Sequence, residues 1–512
     1  MSKKPSDFSR RDLLKAAAAL GTVPFAAACE RSSPISSAQA SSGDTQGSFN
    51  AQVVVVGAGI AGLTAARRLV AAGVDTLVVE ACDRVGGRTL NHNVSAAQAL
   101  PGTVVEVGGQ WVGPGQDRVL ALIEELGLST FKTFEDGNYI DYRNGLKTQY
   151  GHVFPIDPLN LGLNRLPLTD PVAAAEAALA IETLTSMANQ VPLDMPWTAA
   201  NAAAWDNQTF QSWMDANLVT PGAKSLLQLA IETLFCAEPR EVSLLHALLC
   251  FHSGGSLEHM ISTTGGAQDS RIAGGSQLIS LRMAQALGSR VLLRAPVTRI
   301  EYNDKGVRVS GDQFSVHAQR TIIALPPTLS GRITYAPPVN GLRDQLTQRF
   351  PMGSVIKVQC VYPKPFWRDA GLNGQATSDT GPVKSTFDNS PPDAHVGVIV
   401  GFITGSEART AIMQTREQRM AGVIESFVRY FGEQARTPLE YIERDWASEE
   451  YSRGGYLGYL PPGVWLDYGI AMTAPVGRIH WAGSETSDIN RGYFDGAVRS
   501  GERVAEEVAA LL

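Results

Sequence analysis

The run Val53-Val54-Val55-Val56-Gly57-Ala58-Gly59-Ile60-Ala61-Gly62-Leu63 limits what this chain can fold into more than any other feature. Four β-branched residues in a row predict a parallel strand buried on both faces. The Gly-x-Gly-x-x-Gly after them is a tight turn, and 61–72 reads as a helix. A second apolar run, 76–79, ends on Glu80, eighteen residues past Gly62. Strand, glycine turn, helix, strand and acid in that order form a dinucleotide-binding start. Gly57 permits the turn, Gly59 lets backbone approach a pyrophosphate, and Gly62 lets the helix lie close to the strand. The helix N-terminus offers unpaired N–H groups to phosphate, and Glu80 can accept hydrogen bonds from a ribose.

The 512 residues suffice for two or more domains with large cores, and 18% charged against 44% hydrophobic residues is a globular balance. A net charge of −7 argues against a nucleic-acid binder, which carries a basic face. Cys29, Cys82, Cys236, Cys250 and Cys360 are scattered, so neither a disulfide framework nor a metal site is expected. Cys360 alternates with apolar residues and reads as core.

Residues 1–49 are a separate object, a signal and linker. Ser9-Arg10-Arg11-Asp12-Leu13-Leu14-Lys15 precedes an apolar run from Ala16 to Ala28, too short to span a bilayer comfortably. The adjacent arginines resemble a twin-arginine export signal, which implies a folded, cofactor-loaded protein delivered to the periplasm or another extracytoplasmic space. Two processing points stay open. Ala38-Gln39-Ala40 is a small-x-small cleavage site, and Ala26-Ala27-Ala28-Cys29 resembles a lipoprotein box with a lipid anchor on Cys29. No later segment is apolar enough for a transmembrane helix.

The rest is α/β. A Rossmann-like domain is expected from three segments, 50–130, 273–346 and 448–512. An α+β substrate domain, 131–272 and 347–447, is threaded between them. Its helical insert is signalled by Ala- and Leu-rich periodicity at 171–189 and 221–234, and its antiparallel sheet by alternation at 354–362 and 395–403. Further strands are expected at 291–293, 297–302, 307–309, 320–325 and 478–482, with helices at 416–431 and 496–511.

Glycine-flanked polar stretches carry the chemistry. They are Ala81-Cys82-Asp83-Arg84-Val85-Gly86-Gly87-Arg88, Glu106-Val107-Gly108-Gly109-Gln110-Trp111, Trp481-Ala482-Gly483-Ser484-Glu485-Thr486 and Gly492-Tyr493-Phe494-Asp495-Gly496. Together with the fingerprint they make the chain resemble the flavin-containing monoamine oxidase family from about residue 50 onward. The resemblance implies FAD. It places Gly57, Gly59, Ala61, Gly62, Glu80 and Ala81 at the AMP half, and Val297 where backbone meets the adenine. Arg88, Gly109, Gln110 and Trp111 fall around the phosphates and isoalloxazine, and Gly483, Ser484 and Glu485 at a second phosphate turn. Tyr493 and Phe494 fall at the flavin's pyrimidine edge. Mammalian members tether the flavin to a cysteine, but the matching stretch here is Ser452-Arg453-Gly454-Gly455-Tyr456, so FAD is expected to be non-covalent. Cys82 stands where a basic residue is common, which weakens one phosphate or ribose contact.

On the substrate side the resemblance makes Tyr456 and Tyr493 an aromatic pair flanking the amine, a narrow apolar slot in front of the flavin. Lys357, on an otherwise apolar strand, matches a lysine that holds a water at flavin N5. Ile261, Gln268 and Phe402 match cavity positions, and Ser385 implies a roomier entrance. The implied reaction is FAD-dependent oxidation of an amine to an imine, hydrolysed to a carbonyl compound, with O₂ reduced to H₂O₂. Three alternatives stay open: an L-amino-acid oxidase, with Arg453 or Arg491 receiving the carboxylate; an amine dehydrogenase using another acceptor; and a non-catalytic flavoprotein.

Overall fold

A computed structural model describes residues 46–96, 99–151 and 170–512. The expected export signal, both expected processing sites and Cys29 lie outside the described residues. The expected fingerprint strand is Val53–Val56, the centre of a five-stranded parallel sheet. The order is Val291–Leu292, Thr76–Val79, Val53–Val56, Arg320–Ile323, Ile479–Trp481. Alternation explains the unbroken valine run. Val53 and Val55 pack with Leu63, Leu69, Ile279 and Val504 on the helical face. Val54 and Val56 pack with Ile300, Val309 and Val316 of a second five-stranded sheet on the other face. Helices Ile60–Ala71, Gln277–Leu287 and Phe494–Ala509 form the helical layer.

A seven-stranded sheet carries the other side of the site, in the order Glu440–Asp445, Val355–Tyr362, Gly397–Thr404, Ser385–Asp388, Leu372–Ser378, Asn138–Arg143, Leu146–Tyr150. It is antiparallel as expected, except that Leu372–Ser378 runs parallel to Asn138–Arg143. The helical insert includes Pro171–Ala188, Pro221–Phe235 and Leu244–Ser253. Each has its start written in the sequence. Asp170, Thr220 and Ser243 cap the backbone N–H groups of Ala173, Ala223 and His246, and proline fills the first position of the first two. Arg416–Phe431 begins with a full capping box from Thr415 and Gln418.

Two boundaries differ from expectation in ways that matter. Val297 precedes its strand, which begins at Arg299, so it lies in a connecting segment. The last helix starts at Phe494 rather than 496, which makes Phe494 its first residue. Among the described residues no helix is long and apolar enough to cross a membrane.

Candidate active site

One continuous cavity of about 560 Å³ runs from the fingerprint turn to the aromatic pair. Gly57, Gly59, Ala61, Glu80, Ala81, Arg88, Gly109, Gln110, Trp111, Val297, Gly483, Ser484, Tyr493 and Phe494 line it, as do Lys357, Tyr456, Ile261, Gln268 and Phe402. Gly62 and Glu485, also expected at the cofactor, stand behind the wall.

The fingerprint glycines divide their work as steric tests show. A Cβ on Gly57 would meet the Ala324 carbonyl at 2.8 Å, and its φ of +105° already disfavours any other residue. A Cβ on Gly62 would come within 2.0 Å of the Gly57 carbonyl. A Cβ on Gly59 would meet nothing within 4 Å and would project into open space. The helix Ile60–Ala71 begins at Gly59 with no side-chain cap, so its first N–H groups are left for a ligand. The helix Phe494–Ala509 is uncapped as well, and its first residue lines the same cavity. Two positive helix ends therefore serve one cavity, which fits a phosphate at one and the electron-rich edge of a flavin at the other. Glu80 is buried and accepts from the Ala58 and Cys82 N–H groups at 2.7 and 2.9 Å. Burial pushes its pKa up, and those two hydrogen bonds oppose the rise. Gly109 gives the Phe494 ring its space, since a Cβ there would lie 2.7 Å from that ring.

Arg88 sits beside the cavity but its charge is already matched. It pairs with the buried Glu485, to which its Nη2 donates at 3.0 Å, and its Nη1 donates to the Tyr456 carbonyl at 2.8 Å. The pair clamps the first glycine-rich loop to the aromatic slot. Cys82 is half-buried beside Glu80, and burial pushes its thiol up to about 12, so it offers no charge to a phosphate.

Around the amine end the wall is aromatic. The Tyr456 ring stands edge-on to Phe402 with centroids 5.8 Å apart, and Trp111 stands edge-on to Phe387 at 4.9 Å. Burial raises the phenol pKa values of both Tyr456 and Tyr493, which keeps them neutral. Lys357 is buried among these rings, its Nζ 5.7 Å from the centre of Phe402 and 5.9 Å from that of Trp111. It donates to the Gly108 carbonyl at 2.8 Å and to Gln110 Oε1. Burial, opposed by Glu106 and aided by Arg271, lowers its pKa to about 7. Gln268 donates to the Met260 carbonyl at 2.9 Å and leaves Oε1 buried and unmatched in the wall. Ile261 is 39% exposed at the rim.

Ser385 lies on the strand paired with Phe402 but outside the cavity wall, so it does not widen the entrance. The two arginines offered for a carboxylate both line the cavity, and each also makes hydrogen bonds within the protein. Arg453 is exposed and donates to the Glu450 carbonyl. Arg491 stacks on Trp465, 5.4 Å from its ring centre, and donates to the Glu485 carbonyl. Sequence reasoning missed Phe235, Met260, Phe387 and Trp446 in the wall. Only the strand alternation in Ser385-Thr386-Phe387-Asp388 carried any signal for one of them.

An uncapped dinucleotide cradle opening onto a buried aromatic slot defines a dinucleotide-dependent enzyme of small organic substrates. The family model for flavin-containing amine oxidoreductases matches residues 60–509, and the chain belongs to that family. It is 39% identical over 465 residues to a Mycobacterium tuberculosis protein named a flavin-containing monoamine oxidase, covering 91% of this chain and 98% of that one. It is 36% identical over 468 residues to an L-amino acid dehydrogenase of Synechocystis, covering 91% and 96%. The solved structure of wild-type putrescine oxidase bound to putrescine superposes with a TM-score of 0.84 at 35% identity, covering 91% of this chain and all of that one.

FAD is the dinucleotide of this site, and it is held without a covalent bond. Gly455 lines the cavity at the position of the tethering cysteine and carries no thiol; a Cβ there would come 3.3 Å from Val355 Cγ1 and 3.9 Å from Trp446 Cβ. Acid denaturation and filtration are expected to put all the yellow colour in the filtrate. Colour retained with protein contradicts the assignment. Gly62→Ala is expected to purify nearly colourless, because the helix must move away from the turn; a wild-type ratio of flavin to protein absorbance refutes this.

Proposed function

We propose that the chain oxidises a small amine with an apolar body, releasing H₂O₂ outside the cytoplasm. The observation that carries this reading is the continuity of the cavity. It joins the dinucleotide cradle to a slot walled by Tyr456, Tyr493, Phe402 and Trp111, with Lys357 buried beside it. FAD held there by the Gly57–Gly62 turn and the two uncapped helix ends would supply the two-electron redox chemistry between the amine and O₂. Tyr456 and Tyr493 flank the amine, exclude water and aim the α-carbon. Their neutral phenols, and the surrounding rings, favour the uncharged amine over ammonium. Loss of two electrons and two protons leaves an imine, and water converts it to an aldehyde or ketone plus ammonia or a smaller amine. Lys357 places a positive charge where negative charge develops on O₂. Gln268 Oε1 offers a hydrogen-bond acceptor to the substrate.

Anaerobic bleaching of the flavin against a panel of amines and L-amino acids tests this without depending on the acceptor. Amines are expected to bleach it. Bleaching by L-amino acids alone would replace the reading with the one the Synechocystis relative supports, with Arg453 or Arg491, which both line the cavity, as the carboxylate's partner. Bleaching by nothing would leave a non-catalytic flavoprotein. Peroxide formed on re-aeration separates an oxidase from a dehydrogenase.

The localisation rests on Arg10, Arg11 and the short apolar run after them. Replacing both arginines by lysine is expected to strand active holoenzyme in the cytoplasm, and unchanged export rejects the twin-arginine route. If Cys29 is acylated, Cys29→Ser frees the protein from membranes; wild-type protein already soluble rejects the lipid anchor.

A further inference from the structure

Lys357 has an unusual setting for a buried cation. Among the described residues no carboxylate lies within ion-pair distance of its Nζ; Glu106 gives one oxygen to Arg271 at 2.7 Å and leaves Oε1 buried without a hydrogen bond. Arg444 lies directly across the sheet from Lys357 and is paired with Glu449. Phe402 is the opposite residue on the other neighbouring strand. Glu106, Arg271 and the Arg444–Glu449 pair are the charged groups facing it, and among the described residues none forms an ion pair with it. What does reach it is a file of side-chain amides. Lys357 can only donate, so Gln110 must present Oε1 to it. Gln110 Nε2 then donates to Asn389 Oδ1 at 2.7 Å. Asn389 Nδ2 donates to Gln359 Oε1 at 2.7 Å, and Gln359 Nε2 donates to the Glu106 carbonyl at 3.0 Å. All three amides are buried. Arg271, also a donor only, holds the Asn389 carbonyl at 2.9 Å and fixes that residue's backbone.

We propose that Gln359 and Asn389 are positioning residues for Lys357. With Gln110 they form a head-to-tail file of three carboxamides whose oxygen ends all point toward the ammonium and stand in for a counter-ion. The inference rests on the reading that Lys357 is the cation beside the flavin. Hydrogen bonds in series polarise one another, and a low-dielectric interior strengthens aligned dipoles. Neither Asn389 nor Gln359 lines the cavity, so each acts on chemistry only through the file. A mere packing role would demand shape, whereas this role demands an amide of one orientation.

The test is a pH titration, from about 6 to 9, of the flavin absorbance of resting, substrate-free holoenzyme, with O₂ reoxidation rates measured beside it. Wild type is expected to show one spectral step as Lys357 loses its proton, and Lys357→Met none. Asn389→Leu and Gln359→Leu should move the midpoint down by about one unit, through loss of the amide dipoles. Asn389→Asp, which keeps the shape and adds an anion, should move it up and so reports even if the leucine variants do not fold. A step present in wild type but unmoved in every folded Asn389 and Gln359 variant overturns the proposal while leaving Lys357 in place. A step that survives in Lys357→Met belongs to another group and overturns the reading of Lys357 and this proposal together. So does the absence of any step in wild type.

Discussion

Tyr456→Ala and Tyr493→Ala should each slow anaerobic reduction of the flavin by amine about 100-fold, the scale of lost positioning and near 2.7 kcal/mol of barrier. The variants should keep their yellow colour, because neither side chain holds the dinucleotide's phosphates. The physical cause is the geometry of the slot. Tyr456 is wedged edge-on against Phe402, and its carbonyl is fixed by Arg88. Removing the ring opens a wet gap at the reacting carbon. Tyr456→Phe retains the wall and should lose far less. Stopped-flow reduction at the wild-type rate in either alanine variant would mean that the amine binds elsewhere.

Lys357→Met should instead slow reoxidation of reduced flavin by O₂ about 100-fold, the usual effect of removing one preorganised charge. Reduction by amine should change much less. Wild-type reoxidation is also expected to fall as pH rises through about 7, where the buried ammonium loses its proton, and the variant's profile should be flat. The sign follows from the burial. The unfolded chain keeps this lysine protonated up to its ordinary value, so between about 7 and that value the unfolded state binds more protons, and stability gains with pH in that window. Lys357→Met should therefore stabilise the protein most below pH 7, which thermal melts at two pH values can check. Reoxidation as fast as wild type at every pH would make the lysine structural, or O₂ the wrong acceptor.

These three residues show why so much of the site was legible in the sequence. Tyr456, Tyr493 and Lys357 sit inside short motifs whose neighbours are constrained by backbone, as at Gly109 beneath Phe494. Such constraints leave marks in consecutive residues. The fingerprint strand and helix were legible for the same reason, and so were the capped helices at Asp170, Thr220 and Thr415. What escaped were partnerships between distant elements. Gln110, Gln359 and Asn389 come from three separate stretches, and no local pattern predicts that their amides meet. Arg88 was expected to serve a phosphate, but Glu485, nearly four hundred residues later, already matches its charge. The parallel pairing of Leu372–Ser378 with Asn138–Arg143 was invisible because periodicity fixes which face a strand buries and not which neighbour it joins.

The order of strands in the parallel sheet has a consequence for biosynthesis. Its edge strand Ile479–Trp481 and the helix beginning at Phe494 come from the last part of the chain, yet that helix packs on Ile60–Ala71 through the same core. A ribosome releases the fingerprint turn early and the wall that closes on it only some four hundred residues later. Until those residues emerge, the growing chain carries an unfinished sheet edge and half a cradle. Flavin capture is then expected only after the helix Phe494–Ala509 has docked. Any truncation or fusion that delays that docking should accumulate colourless, protease-sensitive protein rather than active enzyme with weak affinity.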